Sequence, residues 1–154
     1  MLPVNNLGYL LQHVAAVVAK QADVLLQDEL GIGLSQFKIL MVLQKNDQVQ
    51  QRFIADSLGQ TEASISRQIQ LLIDKDLITA KRNPKNLRKH ITTPTLAGQK
   101  LTEKAMATLA SHFGSEFASM GDAHLNELIS NLTSLHEVVC QPGKTGACEH
   151  HFKT

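Results

Sequence analysis

Tryptophan is absent from this 154-residue chain, and tyrosine occurs once. Proteins that grip single-stranded nucleic acid stack bases on aromatic rings, so that partner class is not expected here. Cysteine is nearly as scarce: Cys140 and Cys148 are the only two, both near the end. Two cysteines do not make a disulfide framework, and their scarcity fits a reducing, cytoplasmic setting. No apolar run approaches the roughly 18–20 residues needed to cross a bilayer, so no membrane partner is expected. The first residues lack a basic segment followed by a continuous apolar one, so no secretory signal is expected either. Serine, histidine and aspartate are present, but no G-x-S-x-G, P-loop or H-E-x-x-H context occurs. The chain is therefore not read as an enzyme, and no cofactor is called for. Internal repeats and low-complexity segments are also missing.

Net charge is nearly missing as well, at +1. Its distribution says more than its sum. Residues 77–104 hold Lys81, Arg82, Lys85, Arg88, Lys89, Lys100 and Lys104 against Glu103 alone. Residues 105–154 lean the other way, with Lys144 and Lys153 against Glu116, Asp122, Glu127, Glu137 and Glu149. A local positive stripe attracts a phosphate backbone and displaces its counterions. The alternative is a merely solvated charged loop.

The apolar share of 43% is enough for one core, so a single domain with helical extensions is expected. Leu7, Leu10, Leu11, Val14, Val17, Val18, Leu25 and Leu26 recur at helical spacing and predict a long amphipathic helix over 5–29, ended by Gly31 and Gly33. Ser35 is expected to cap a second helix, largely buried through Phe37, Ile39, Leu40, Val42 and Leu43, that ends near Asn46-Asp47. A short helix over 51–58 turns Phe53, Ile54 and Leu58 inward and stops at Gly59. Thr61 caps the next helix, whose apolar face is Ile65, Ile69, Leu72 and Ile73. Two short helices joined through Gly59-Gln60 fit a helix-turn-helix with the second as reading helix. Two β-runs follow, Leu77–Ala80 and His90–Thr93, around a basic turn that starts at Asn83-Pro84. Helix, strand, basic turn and strand is the order of a winged helix. Thr95 is expected to cap a helix to about Met120, and Asp122 a last one with Leu125, Leu128, Ile129, Leu132, Leu135, Val138 and Val139 on its stripe.

The terminal helices carry more apolar surface than the small winged part can cover. Antiparallel helices of a second copy would bury it, which predicts an isologous homodimer; an intramolecular bundle is the alternative.

The chain resembles the MarR-type winged helix-turn-helix regulators. Leu34-Ser35-Gln36-Phe37 is similar to the start of that family's second helix, and Ile54-Ala55-Asp56-Ser57-Leu58-Gly59 to the helix before its turn. Ser64-Ile65-Ser66-Arg67 and Leu77-Ile78 resemble its reading helix and the strand after it. Asn83-Pro84-Lys85-Asn86-Leu87-Arg88 occupies its wing tip, and Thr95-Leu96-Ala97-Gly98 the helix that follows. The family's wing carries a pattern like D-x-x-D-R-R; here Asn83 and Asn86 stand for the acids and Leu87 for the first arginine.

The resemblance implies that the reading helix enters the major groove of double-stranded DNA. Arg67 is the first candidate for a base edge or phosphate; its alternative is a surface pair with Asp74 or Asp56. Ser64 and Ser66 can reach bases or phosphate, although Ser66 can also bond back within its helix. Gln68 reads adenine or packs at the helix edge. Gln60 and Thr61 lie where free helix amides favour phosphate, unless Thr61 does no more than cap. Arg88 matches the arginine that the family places in the minor groove, and Lys81, Arg82, Lys85 and Lys89 would hold the backbone.

The resemblance also implies a small phenolic or lipophilic effector between the dimerisation helices and the winged helix. Tyr9, His13, Phe37 and Met41 can line such a cleft, or serve as packing residues. His136 and Cys140 stand four apart on one helix face, and Cys148 and His150 could complete a metal site; a Cys140–Cys148 disulfide is the redox alternative, and a solvated tail the plain one.

The expected architecture is mainly α with a small β-hairpin wing. Residues 31–104 form the winged helix-turn-helix domain, residues 1–30 and 105–141 the dimerisation helices, and residues 142–154 a polar tail. The expected function is that of a cytoplasmic homodimeric regulator, a repressor, bound to a palindromic duplex operator and modulated by a small molecule. A metal- or redox-sensing regulator and a winged-helix module for protein interaction are the alternatives.

Overall fold

A computed structural model describes residues 4–46 and 48–143, with Val4, Asn5 and Arg88 described by their backbone alone. The chain runs α1 (Val4–Leu30), α2 (Leu34–Lys45), β1 (Val49–Gln50), α3 (Gln51–Leu58), α4 (Glu62–Asp74), β2 (Ile78–Asn83), β3 (Asn86–Pro94), α5 (Leu96–Ala118) and α6 (Asp122–Val139). The expected mainly helical chain with a hairpin wing is what the structure shows. The sheet has three antiparallel strands in the order β1-β3-β2. Its extra member, β1, pairs Val49 with Thr92 and Gln50 with Ile91. Two residues are too few to show a strand period, which is why the sequence gives no sign of it.

The core gathers around the winged part. Leu26 and Ile32 from the α1–α2 corner, Phe37, Ile39, Leu40 and Leu43 from α2, Ile54 and Ala55 from α3, Ile65, Ile69 and Leu72 from α4, Leu77 and Ile78 at β2, and Ala105 of α5 form one cluster. Each fully buried Ile or Leu contributes about 1.5–3 kcal/mol. The first half of α1 and the whole of α6 contribute little. Along α1, Leu7, Tyr9, Leu10, Val14 and Val17 are exposed, and α6 buries no residue while Leu128, Ile129, Leu132, Val138 and Val139 face outward. The intramolecular bundle considered above is therefore not formed by α6. The division between residues 104 and 105 falls inside α5, which is continuous from Leu96 to Ala118.

Several local expectations hold and two are corrected. Gly31 follows α1 with φ 68°, and its N–H returns to the Gln27 carbonyl at 3.0 Å. Ser35 does not cap α2. The helix already begins at Leu34, whose N–H donates to Oδ1 of Asp23 on α1 at 2.7 Å, while Gln36 Oε1 accepts from Gly33 N at 3.4 Å. A carboxylate from the neighbouring helix takes the place of a local cap and suits the positive helix end. Asp122 is likewise inside α6 as its first residue, after Gly121 at φ 81°. Thr95 caps α5 as expected, accepting from Gly98 N at 3.0 Å.

The corner between α4, β2 and α5 is closely tied. Leu77 N–H donates to the Leu72 carbonyl and Asp76 N–H to that of Ile73, closing α4 with Asp76 in the left-handed region at φ 56°. Thr95 Oγ1 donates to the Asp76 carbonyl at 2.7 Å, and Thr95 N–H donates to the Leu77 carbonyl at 3.0 Å. Lys75 Nζ reaches the Gly31 carbonyl and ties the end of α4 to the end of α1.

Candidate nucleic-acid interface

Gly59 shapes the turn before the reading helix. Its φ of 61° lies where an L side chain is strained, and this lets α3 reverse into α4. Gln51 Nε2 donates to the Glu62 carbonyl at 2.9 Å, so the start of α3 holds the start of α4. Thr61 caps α4, accepting from Ser64 N at 3.2 Å, and Ser64 Oγ donates to Gln60 Oε1 at 3.4 Å. The two residues expected near phosphate are thus fixed to the first turn of the helix.

Ile65, Ile69 and Leu72 seat α4 on the core. At 100° per residue, Ala63, Arg67, Gln70 and Asp74 lie roughly opposite that face. Ala63, Ser64, Ser66, Arg67, Gln70 and Leu71 are exposed, and Gln68 is half-buried at the edge of the core-facing side. The surface pairs considered for Arg67 do not form. Asp56 pairs with Arg52 at 3.8 Å, and Asp74 accepts from Gln70 Nε2 at 2.9 Å. Ser57 bonds back to the Phe53 carbonyl, whereas Ser66 makes no such bond among the described residues.

The wing is longer than the two β-runs suggested. Its strands cover Ile78–Asn83 and Asn86–Pro94 around Pro84-Lys85. Lys85 N–H donates to Asn83 Oδ1 at 2.9 Å, so Asn83, which stands for a family acid, braces the turn. Pairing steps from Arg82↔His90 to Asn83↔Asn86, one residue on β2 against four on β3. Leu87, Arg88 and Lys89 are the surplus, which makes a bulge where the sequence suggested a plain turn. Lys81, Arg82, Lys85, Lys89 and His90 are exposed, and among the described residues no carboxylate pairs with them. Four cations beyond the core, plus the backbone position of Arg88, give a strip that can meet a polyanion. Leu71, His90 and Leu87 belong to these exposed surfaces too. Charge and hydrogen-bonding capacity in the sequence do not mark Leu71 or Leu87, and His90 is marked there only as the start of a β-run.

The candidate effector residues fall in different surroundings. Tyr9 and His13 stack at 5.8 Å on α1, with Tyr9 70% exposed. Phe37 is buried in the core and Met41 packs against it. A shallow groove of about 490 Å³ lies instead between α1 and α5, against Leu25, Glu29, Lys104, Thr108, Ser111 and His112. Of the tail residues, His136 is exposed on α6, and Cys148 and His150 lie outside the described residues. Cys140 is disulfide-bonded. Cysteine binds a metal as its thiolate, so disulfide-bonded Cys140 does not supply a ligand.

Residues 30–89 match the family model described as MarR family. A comparison with curated proteins finds no match. Solved structures share the fold. MarR from E. coli in its apo form has a TM-score of 0.77 at 18% identity, over 88% of this chain and 98% of that one. A transcriptional regulator (MarR family) from Rhodococcus sp. RHA1 has a TM-score of 0.75 at 21% identity, over 88% and 96%. The transcriptional repressor CouR bound to a 23-mer DNA duplex has a TM-score of 0.74 at 23% identity, over 84% and 91%; CouR from Rhodococcus jostii RHA1 has also been solved with p-coumaroyl-CoA.

Proposed function

We propose that this chain, which carries a MarR-family winged-helix segment over residues 30–89, is a homodimeric, sequence-specific repressor of transcription acting in the cytoplasm. The observation that carries the reading is a pair of features: an exposed α4 face centred on Arg67, and a wing whose described cations have no carboxylate partner among the described residues. In this reading residues 31–104 are the DNA-binding part, with residues 1–30 and 105–141 joining two copies. Ser64 and Arg67 meet base edges in the major groove, and Gln68 takes a secondary part from the helix edge. Gln60, Thr61 and Ser66 contribute near phosphate, Arg88 enters the minor groove, and Lys81, Arg82, Lys85 and Lys89 hold the backbone. The duplex-bound state of CouR, a protein of the same fold, supports the geometry.

Two copies place two reading helices about 34–36 Å apart, one helical turn of DNA, so the operator is an imperfect palindrome. A small-molecule effector completes the reading, supported by the acyl-CoA-bound structure of CouR. The disulfide state of Cys140 favours a redox input as a second route of control. Selection of sites from random duplex DNA tests the whole. A two-fold motif with half-sites one turn apart is expected, and a pool without any enriched motif sinks the proposal.

A further inference from the structure

One apolar side chain stands among the cations of the wing. Leu87 is 67% exposed, and every described side chain from 84 to 90 is exposed with it, so the hairpin tip has no core of its own. A lone exposed leucine is ordinary on a protein surface. This one sits between Lys85 and Lys89 on a segment that the register jump pushes out of the ladder, and bulges of this kind re-aim side chains. The Pro84 ring and the Lys85–Asn83 hydrogen bond stiffen the turn behind it. The cations bring the tip to phosphate, and a two-stranded tip meets a minor groove only about 6 Å wide. An apolar side chain delivered there can lie along the deoxyribose walls or enter between the stacked faces of neighbouring base pairs, and a rigid, outward-aimed tip favours the second.

We propose that Leu87 is a wedge: it enters the minor groove and opens one base step, kinking the duplex. This rests on the reading of the chain as a duplex DNA regulator. It makes recognition depend on the ease of unstacking, so flexible pyrimidine–purine steps such as TA are favoured beneath the wing.

The test uses the full chain and its selected operator, with 2-aminopurine placed at successive positions in each half-site and a donor–acceptor dye pair on the duplex ends. Wild-type protein is expected to raise the 2-aminopurine signal at one step per half-site and to shorten the end-to-end distance. Leu87→Ala, at an exposed position that leaves the fold intact, should abolish both signals, weaken binding about tenfold and relax the preference at that step. Leu87→Met should restore the unstacking. An unchanged signal in Leu87→Ala overturns the wedge, as does wild-type binding with no unstacked step, or a loss of affinity in Leu87→Ala with the bend retained. If wild-type protein enriches no duplex sequence, the regulator reading falls and the wedge with it; if it does and Leu87→Ala behaves identically, the wedge alone falls.

Discussion

At the scale of single residues, Gly98 has the least room of the described glycines. A Cβ placed there would lie 2.0 Å from the Leu77 carbonyl oxygen, a backbone atom that cannot swing aside. That same oxygen accepts from Thr95 N–H, and the Gly98 carbonyl accepts from the buried Thr102 hydroxyl at 2.7 Å. Gly98→Ala should therefore destabilise the fold by about 1–3 kcal/mol, read as a lower midpoint in urea unfolding; an unchanged midpoint would show that α5 can shift away without cost. Arg67 invites the opposite kind of test. It is exposed and, among the described residues, unpaired, so Arg67→Ala should leave the unfolding midpoint alone while costing about 1–3 kcal/mol of discrimination at one base pair. Binding-site selection with the variant checks this, and an unchanged motif removes Arg67 from the reading set.

At the scale of elements, the wing is a charged ribbon rather than a packed strand pair. Its cations act additively on counterion release, so Lys85→Ala with Lys89→Ala should flatten the log–log salt dependence of operator binding by roughly two units per subunit. Titrations across several salt concentrations measure it, and a slope equal to wild type would place both side chains away from phosphate. Most elements were legible in the sequence because their apolar residues repeat at helical spacing: Ile65, Ile69 and Leu72 marked the inner face of α4, and Thr61 and Thr95 marked two starts. What was hidden is non-local. Asp23 supplies the start of α2 from eleven residues upstream, which displaced Ser35 from the role its chemistry suggested. The bulge at Leu87–Lys89 follows from how the Asn83 turn closes against β3, and no periodicity encodes that. On the candidate interface, the polar and basic positions could be chosen by residue type; Leu71 could not, because an apolar residue draws notice only when a structure shows it without cover, and Leu87 stood out in the sequence only as a departure from the family's wing.

At the scale of the whole molecule, apolar surface is unevenly spread. The winged part closes a core, while α1 and α6 leave Leu10, Val14, Leu128 and Leu132 outside. In the proposed dimer these faces are interior. Leu128→Glu with Leu132→Glu should thus yield a folded monomer in sedimentation, because neither side chain serves the single-chain core. Operator affinity should fall at least tenfold when the two reading heads no longer bind together. A double variant that remains dimeric would move the interface off α6.

The junction at Thr95, Leu77 and Gly98 sets how such a molecule can move. α5 is 23 residues long, about 35 Å of stiff rod, and its first turn is bonded to the corner that ends α4. In the proposed dimer this corner is where a tilt of α5 would pass to α4: a tilt of about 5° would swing the far end of α5 by about 3 Å. Run in reverse, a few ångströms of displacement at the dimer contact proposed above would be geared down to a small rotation of the reading helix. The tight corner that leaves no space for a methyl group at Gly98 is thereby also the place where slack would be most damaging, since any looseness there would absorb the stroke before it reached the DNA-facing side.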